Sequence, residues 1–413
     1  LSNVGNDAID AGMIGIDQST GAVKVMVGGK SYNSADQYNN ATDAERQPGS
    51  SFKTITLATA IEQGMSPDTL FDCSSPMTIH LQNGTDWENL QNYGNHDYGT
   101  ISLARMTEVS ANTGYAQVIN LIGPDKVAEM GNRLGIDKEL PANASLTLGT
   151  TTVSPYQMAE AYATIANGGV HIDPYTIEKV EDTNGNVIYE ASPNETQSIS
   201  PSVAKTVTGI LEGVMTDGTG TYGMPSINQP VAGKTGTTEN VRDLWFCGYT
   251  PQITVAIWTG ISQEQPMKIG YRDAQTSDLP LPIFRKFCNQ ALADYPREEF
   301  PTANDPDFKP NEDWGGVDLD RTQKEQQEAE EEQQRLEEEQ RKKEEEEERK
   351  RQEELEQQQQ QQNQNNGATN GNTGGNVNDG GAAVVPPGNV GGDDGGGETP
   401  DIGGDDGGDI GGD

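Results

Sequence analysis

The sequence predicts an α+β fold, in which one antiparallel sheet combines strands from both ends of the folded region and helices come from the segment between. A hairpin pattern at residues 11–29 supplies the first part of this sheet, and three strand-like runs between residues 229 and 260 supply the second. Between these regions, apolar residues recur at helical spacing after serine and proline start signals.

The first predicted element is a β-hairpin in the segment Ala11–Gly29, AGMIGIDQSTGAVKVMVGG. Its two short apolar runs flank a polar turn at Gln18–Gly21, and this pattern is typical of a hairpin. The first helix is predicted in FKTITLATAIEQG, where apolar residues follow helical spacing and Gly64 provides a stop signal. Ser50, directly before this segment, should therefore lie at a helix N-terminus.

Two later helices begin with a serine that is followed by proline at the first helical position. Ser154 precedes the run PYQMAEAYATIANGG, in which Gln157 completes a capping box. Ser200 precedes PSVAKTVTGILEGVM with the same serine and proline signal. A further helical stretch is predicted from Ser102, and another one begins near Thr113.

The last strands and the last helix are predicted near the end of the folded region. Strand-like runs occur in QPVAGKTG, DLWFCGYT and QITVAIWTG, joined by Thr237–Arg242 and by Thr250–Pro251. Such short connections favour an antiparallel meander. The run LPIFRKFCNQALADY that follows is amphipathic, so we expect a helix that packs against this sheet.

Composition divides the chain into a folded domain at residues 1–304, a linker at 305–320 and a low-complexity tail at 321–413. The tail is rich in Glu and Gln and then in Gly, Asn and Asp, and its Glu/Gln segment has only Leu336 and Leu355 as sizeable apolar residues. Because a heptad seam is missing, a solvated single helix or disorder is favoured over a coiled coil.

The chain is strongly acidic, with a formal net charge of −38. The tail carries 9 Lys and Arg against 25 Asp and Glu, a net charge of −16, which leaves −22 on residues 1–320. Such a field repels phosphate backbones, so nucleic acid is excluded as an expected partner. Against this background a lysine one helical turn after a serine, as in RQPGSSFK, requires an explanation.

The cysteines and histidines do not form a metal-binding or disulfide pattern. Cys73, Cys247 and Cys288 are odd in number and lack the CxxC spacing, so buried free thiols are the favoured interpretation. The three histidines lie in polar or turn-like contexts without ligand spacing.

No run approaches the roughly 18 apolar residues that a membrane span needs. Because the first residue is Leu1, we expect that the chain is part of a longer protein.

The pair Ser50 and Lys53 has the S-x-x-K spacing that allows nucleophilic catalysis. A serine hydroxyl is a poor nucleophile unless a base removes its proton, and residues i and i+3 share one face of a helix. Lys53 can act as that base only if burial and a nearby cation lower its pKa. Taken alone, the pattern is more often a helix cap followed by a solvated charge.

Two more motifs complete the pattern. Lys234 lies on a predicted strand between Gly233 and Gly236, which leave room for a ligand along the strand edge. Ser110 and Asn112 form an S-x-N motif at a helix junction, which is also a common capping pattern. The order S-x-x-K, S-x-N, K-T-G has separations of 60 and 124 residues.

This order of motifs resembles the penicillin-recognising serine enzymes, which include the penicillin-binding proteins and the serine β-lactamases. The resemblance covers roughly residues 8–295. The flanking sequences are similar to the transpeptidase domain of a class A, bifunctional penicillin-binding protein, in the stretches GMIGIDQSTGAVKVMVGG, RQPGSSFK, GTGTYG and VAGKTGTTENVRDLWFCGYTP. The resemblance implies a sandwich of helices around an antiparallel five-stranded sheet, which agrees with the sheet predicted from the strands.

The resemblance also implies roles for the residues of the first two motifs. Ser50 would be the acylated nucleophile and Lys53 its general base. Ser110 would relay protons to the leaving amine, and Asn112 would hydrogen-bond the amide of the acyl donor.

For the third motif, the resemblance implies a binding role along one strand. Lys234 would keep the site electropositive, while Thr235 and Thr237 would bind the terminal carboxylate of a D-Ala-D-Ala stem peptide beside Gly236. The oxyanion hole would consist of the backbone N–H groups of Ser50 and Thr237.

The implied reaction is peptidoglycan cross-linking through a Ser50 acyl-enzyme, or hydrolysis of the same intermediate in a carboxypeptidase, with β-lactams as inhibitors. The resemblance implies no metal or organic cofactor, a glycosyltransferase domain upstream in the full-length protein, and a location outside the cytoplasmic membrane with an anchor that this chain lacks. The alternatives are a β-lactam sensor and a serine β-lactamase. For the β-lactamase, the nearest candidate for a second base is Glu129.

Four other residues near the motifs are not assigned to the site. Asp243 and Trp245 are interpreted as packing or loop-anchoring residues, and Asn92 and Tyr93 as residues without an assigned role.

Overall fold

The structure is a computed structural model that describes residues 6–31 and 37–315, together with helical positions 335–336, 340–344, 346–347, 349–352 and 357. Up to residue 315 the α-helices are α1 Lys53–Glu62, α2 Leu103–Glu108, α3 Asn112–Ile122, α4 Pro124–Arg133, α5 Pro155–Ala166, α6 Pro201–Thr216 and α7 Pro280–Ala291. The strands are β1 Ile9–Ile16, β2 Val23–Val27, β3 Leu70–Asp72, β4 Met77–His80, β5 Asp86–Leu90, β6 Thr100–Ser102, β7 Val170–Ile172, β8 Lys179–Glu181, β9 Val187–Glu190, β10 Glu195–Gln197, β11 Ala232–Thr237, β12 Asp243–Tyr249, β13 Thr254–Ile261, β14 Lys268–Ile269 and β15 Arg272–Asp273.

The central sheet has five antiparallel strands in the order β11-β12-β13-β1-β2. The predicted meander forms one side of this sheet and the predicted hairpin forms the other. They meet where β1 pairs with β13, with Ile9 opposite Ile261 and Ile16 opposite Thr254. This arrangement confirms the predicted fold class and leaves β11 and β2 as the edges.

Both faces of the sheet are covered by helices. Every residue of β12 and β13 is buried, which is expected of strands packed on both sides. Because successive side chains point to opposite faces, Trp245 joins the larger core with α1, α5 and α6, whereas Phe246 packs beside Phe284 of α7. The predicted amphipathic helix therefore covers the face of the sheet opposite α5.

The predicted helix starts are confirmed by their caps. Ser154 accepts a hydrogen bond from the backbone N–H of Gln157, and Oε1 of Gln157 accepts one from the backbone N–H of Ser154, so the capping box is complete. Ser200 caps α6 by accepting from the Val203 backbone, and Ser102 caps α2 in the same way.

Residues 301–315 run along the folded unit, and part of the segment interpreted as a linker makes contacts there. The Lys309 backbone donates to the Gly64 carbonyl, 2.8 Å away, at the end of α1. Trp314 is buried and belongs to the larger core. The boundaries of the domain, the linker and the tail stay predictions.

The described positions from 335 to 357 are helical and exposed, and Lys350 pairs with Glu346 one turn before it. The rest of the predicted tail lies outside the described residues. Within the described part of the chain, no helix combines the length and the apolarity that crossing a bilayer requires.

Replacing Gly209, an exposed residue inside α6, with alanine should stabilise the protein by about 0.5–1 kcal/mol. An added Cβ meets no atom within 4 Å there, so only the helix propensity changes. Chemical unfolding measures this change. Gly213→Ala in the same helix is the matched control and should show no such gain, because its Cβ would lie 2.6 Å from Oε1 of Glu108. A loss of stability in Gly209→Ala would contradict the expected packing of α6.

Candidate active site

Ser50 lies where a short 3-10 helix, Gly49–Phe52, continues into α1. Residues 53–61 of α1 are all buried, so this helix is enclosed by the core on every side. Ser50 itself is half-buried and faces a cleft, as predicted for a residue at a helix N-terminus. A rigid, fully packed helix therefore presents one serine to solvent.

The edge strand β11 approaches the Ser50 segment so closely that two glycines are required. A Cβ on Gly236 would overlap the carbonyl oxygen of Pro48. Gly49 has φ +55°, and its added Cβ would lie 2.5 Å from the carbonyl oxygen of Thr237. The backbones of the S-x-x-K and K-T-G motifs are thus in direct contact.

The Ser50 segment is also fixed by hydrogen bonds from the sheet and from α5. Nε1 of Trp245 donates to the Gln47 carbonyl at 2.8 Å, and the Tyr162 hydroxyl donates to the Ser51 carbonyl at 2.7 Å. Asp243 accepts from Nε1 of Trp258 at 2.9 Å and is buried. Trp245 therefore anchors the loop before the serine, and Asp243 serves the packing of the sheet.

The amine of Lys53 connects the first two motifs. This lysine is fully buried, and its Nζ donates to the Ser110 carbonyl at 2.7 Å and to Oδ1 of Asn112 at 2.8 Å. The Ser110 hydroxyl lies 3.4 Å from the same Nζ, and the Tyr115 ring lies beneath it at 5.4 Å. Among the described residues, no hydrogen bond joins Lys53 to Ser50.

Burial lowers the pKa of Lys53 well below its ordinary value, and the positive charge of Lys234 lowers it further. Lys234 is also fully buried, and burial lowers the pKa of its amine to about 7. These are the two conditions that the sequence requires for a lysine base: desolvation and a second cation.

The S-x-N motif forms the junction between α2 and α3. Ser110 has φ +61°, a conformation that few residues other than glycine adopt, and it turns the chain between the two helices. Oδ1 of Asn92 accepts from the backbone N–H groups of Asn112 and Thr113, at 2.7 and 3.1 Å. Asn92 therefore has a structural role as the cap of α3.

The predicted site residues come together around one cleft of about 900 Å³. Its lining includes Ser50, Ser110, Asn112, Thr235 and Thr237, which belong to all three motifs. The two buried lysines contribute charge without being exposed in this lining, and Gly236 contributes close backbone contact rather than a side chain.

Further lining residues come from loops outside the three motifs. The Thr219 hydroxyl lies 2.7 Å from the Thr235 hydroxyl, and the Gln91 carbonyl accepts from Nδ2 of Asn112 at 2.9 Å. Tyr93 and Glu239 also face the cleft. Thr219 and Glu239 lie in flanking stretches that carry the family resemblance, GTGTYG and VAGKTGTTENVRDLWFCGYTP, whereas no sequence signal indicates Gln91.

The second-base candidate Glu129 and the three cysteines do not line the cleft. Glu129 sits on α4, where its carboxylate is 3.1 Å from Lys126, and it does not line the cleft. All three cysteines are buried with free thiols, as expected. In the part of the chain that the structure describes, no group of three His, Cys, Asp or Glu residues could hold a metal ion.

Comparison with known proteins agrees with this geometry. Residues 12–288 match the family of the penicillin-binding protein transpeptidase domain. The chain is 32% identical over 292 residues to penicillin-binding protein 1A of Aquifex aeolicus, which covers 71% of this chain and 39% of that protein. The chain thus spans about two fifths of the length of this curated relative.

Two solved structures are similar in fold and in sequence. The PonA1 protein of Mycobacterium tuberculosis in complex with penicillin V has a TM-score of 0.65 and 28% identity, and the match covers 74% of this chain and 83% of that one. The D,D-transpeptidase domain of a peptidoglycan glycosyltransferase from Eggerthella lenta has a TM-score of 0.56 and 27% identity, covering 70% and 81%. These comparisons confirm the resemblance found from the motifs.

Gly236→Ala should separate β11 from the Ser50 segment, because the new Cβ cannot share space with the Pro48 carbonyl. We expect a loss of about 1–3 kcal/mol in the free energy of unfolding. A displacement of about 1 Å should also slow covalent labelling by a fluorescent penicillin by roughly 100-fold. Gly209→Ala, remote from the cleft, is the control, and labelling of Gly236→Ala at the parent rate would show that this contact is unimportant.

Proposed function

Because the chain belongs to the penicillin-binding protein transpeptidase family, we propose that it is a peptidoglycan D,D-transpeptidase that cross-links stem peptides through a Ser50 acyl-enzyme. The observation that carries this proposal is the buried amine of Lys53. It contacts both residues of the S-x-N motif, lies within the field of Lys234, and belongs to the helix that presents Ser50 to the cleft.

In the first step, Ser50 attacks the carbonyl of the penultimate D-Ala and expels the terminal D-Ala. Lys53 takes the hydroxyl proton, which it can do because its depressed pKa makes the neutral amine accessible. Ser110, 3.4 Å from the Lys53 amine, then passes a proton to the leaving nitrogen. Asn112 orients Lys53 through Oδ1 and hydrogen-bonds the amide of the donor peptide.

The β11 side of the cleft binds the donor. Thr235 and Thr237 hydrogen-bond its terminal carboxylate, and Lys234 supplies a positive field from beneath the strand. The contact between Gly49 and Thr237 supports an oxyanion hole formed by the backbone N–H groups of Ser50 and Thr237, since it brings the two segments together.

In the second step, an amine of a neighbouring stem peptide attacks the acyl-enzyme and forms the cross-link, whereas attack by water gives carboxypeptidase activity. β-Lactams mimic the donor and remain attached to Ser50. The solved relative named for its complex with penicillin V supports this sensitivity. Since this substrate lies outside the cytoplasmic membrane, we place the site there, with no metal or organic cofactor and with stem peptides as partners.

Two other functions remain as alternatives, a serine β-lactamase and a β-lactam sensor. A β-lactamase needs a second base near the acyl-enzyme. Glu129, the candidate from the sequence, does not line the cleft, which counts against the β-lactamase function. The sensor shares the three motifs. Incubation with a D-Ala-D-Ala donor separates these functions, because release of D-Ala excludes a pure sensor and rapid β-lactam hydrolysis indicates a β-lactamase.

Ser50→Ala should abolish covalent penicillin labelling, because it removes the nucleophilic oxygen while the half-buried site tolerates alanine. Mass spectrometry of the labelled protein should place the adduct on Ser50 in the parent chain. The Ser51 hydroxyl donates to the Pro48 carbonyl instead. Ser51→Ala is therefore the adjacent control and should retain labelling. Labelling of a folded Ser50→Ala variant would place the nucleophile elsewhere.

Lys234→Met should move the acidic limb of the acylation rate profile to higher pH. A neighbouring cation lowers the pKa of Lys53, so removing it raises that pKa, and the neutral base then forms only at higher pH. At neutral pH the acylation rate should also fall by roughly 100-fold, since the positive field on the donor is lost.

Stopped-flow acylation across the pH range measures both effects of Lys234→Met. Lys286→Met, an exposed lysine on α7, is the control and should keep the parent profile. A profile that keeps its midpoint in Lys234→Met would mean that Lys53 does not set the acidic limb.

A further inference from the structure

The cleft carries a single fixed charge on its surface. Among the described residues that line it, Glu239 is the only one with an acidic or basic side chain apart from tyrosine. The two lysines of the site are fully buried. A ligand that enters from solvent therefore meets one exposed carboxylate at the rim and a positive field only beneath the β11 side.

The backbone holds Glu239 at this rim. It follows Thr237 and Thr238 at the end of β11 and begins a 3-10 turn, Glu239–Val241. Asn240 and Val241 have φ values of +58° and +53°, and positive φ is a genuine outlier for a β-branched residue such as valine. Strain of this kind persists only where the surrounding contacts impose it.

Those contacts lie on both sides of the turn. The Thr238 backbone donates to the Asp243 carbonyl at 3.1 Å, and the Thr238 hydroxyl accepts from the Asp243 backbone at 2.9 Å. The Met267 backbone donates to the Val241 carbonyl at 3.0 Å. The turn is thus tied to the sheet, and Glu239 keeps its position beside the strand that binds the donor.

The Glu239 side chain is exposed and has no hydrogen-bond or ion-pair partner among the described residues. An unpartnered carboxylate is ordinary on an acidic surface. Here, however, it lies in an otherwise uncharged lining that it shares with Ser50 and Thr237. Its field acts on whatever approaches the acyl-enzyme from solvent.

We propose that Glu239 recruits the acceptor of the second step by pairing with its ammonium group, and that it selects acceptors whose amine has no neighbouring carboxylate. This proposal rests on the proposed transpeptidase function. Glu239 acts as a specificity-determining residue, since the carboxylate attracts a cationic amine and repels a carboxylate attached beside it.

The second step needs no reactant other than the acyl-enzyme and the acceptor amine. The recruited ammonium releases one proton to solvent, and the free amine attacks the acyl carbon bound to Ser50. A C–N bond forms and the C–O ester bond breaks. The second proton of the nitrogen passes to the Ser50 oxygen, which regenerates the hydroxyl.

Glycinamide and glycine are matched probes for this selectivity. Both present a primary amine, but at neutral pH glycine also carries a carboxylate next to it. The acyl-enzyme is formed from a thioester analogue of the D-Ala-D-Ala donor, and the products of glycinamide, glycine and water are quantified. Because each product is expressed per acyl-enzyme, a change in the rate of acylation does not enter the result.

The parent protein should prefer glycinamide to glycine, and Glu239→Gln should reduce this preference about fivefold at low salt, through the KM for the amine. Glu239→Lys should reduce it further. Added salt should lower the preference of the parent towards that of Glu239→Gln. Glu178→Gln, another exposed carboxylate outside the cleft lining, should keep the parent preference and its salt dependence.

An unchanged ratio of glycinamide to glycine products in Glu239→Gln at low salt would overturn the proposal. Equal losses with both amines would also overturn it, because a merely structural role moves both in parallel. Failure of the proposed function has a different signature: the parent protein would form no acyl-enzyme from the thioester, and no partition could be measured for any variant.

Discussion

Two amines buried beside each other are the constraint on which the rest of this structure depends. The pKa of Lys234 is about 7 in the folded chain, against about 10.4 for an unperturbed lysine. Between these values the unfolded chain holds a proton that the folded chain has released, so stability rises with pH through this range. Below pH 7 the full cost of several kcal/mol applies. Lys53 adds a cost of the same sign, since its pKa is lowered as well. The rest of the fold must therefore offset the free-energy cost of burying these two amines.

The free energy that compensates for the buried amines comes from the elements that pack and form hydrogen bonds around them. Helix α1 is buried along residues 53–61, and β12, next to β11, is buried along its whole length. The Trp245 indole and the Tyr162 hydroxyl tie the backbone on both sides of Ser50. Because these groups are held by the core, the Lys53 amine cannot move into water, where it would recover its ordinary pKa. The rigidity of the site and the lowered pKa of Lys53 thus have one physical origin.

The sequence predicts most of this fold because its signals are local. The capping box at Ser154 and the S-x-x-K spacing depend on neighbours within one helical turn, and the central hairpin depends on two short apolar runs around a polar turn. The approach of Gln91 to Asn112, and of Thr219 to Thr235, joins segments that are distant in sequence, so no local pattern indicates it. The same reasoning explains why Glu239 is an ordinary surface carboxylate in the sequence and a cleft residue in the structure.

Under the proposed function, the division of charge across the cleft matches the charges of the two substrates. In the proposed reaction the donor ends in a carboxylate, and the positive field of the buried Lys234 amine favours it without exposing a cation that would repel an incoming ammonium. The proposed acceptor arrives as a cation from the same solvent, so an exposed carboxylate at the rim favours it. With exposed lysines and a buried Glu239, the acylated site would attract a second donor carboxylate and would repel the cationic acceptor amine. Burial of the lysines and exposure of Glu239 therefore favour the order of events in the proposed cross-linking reaction.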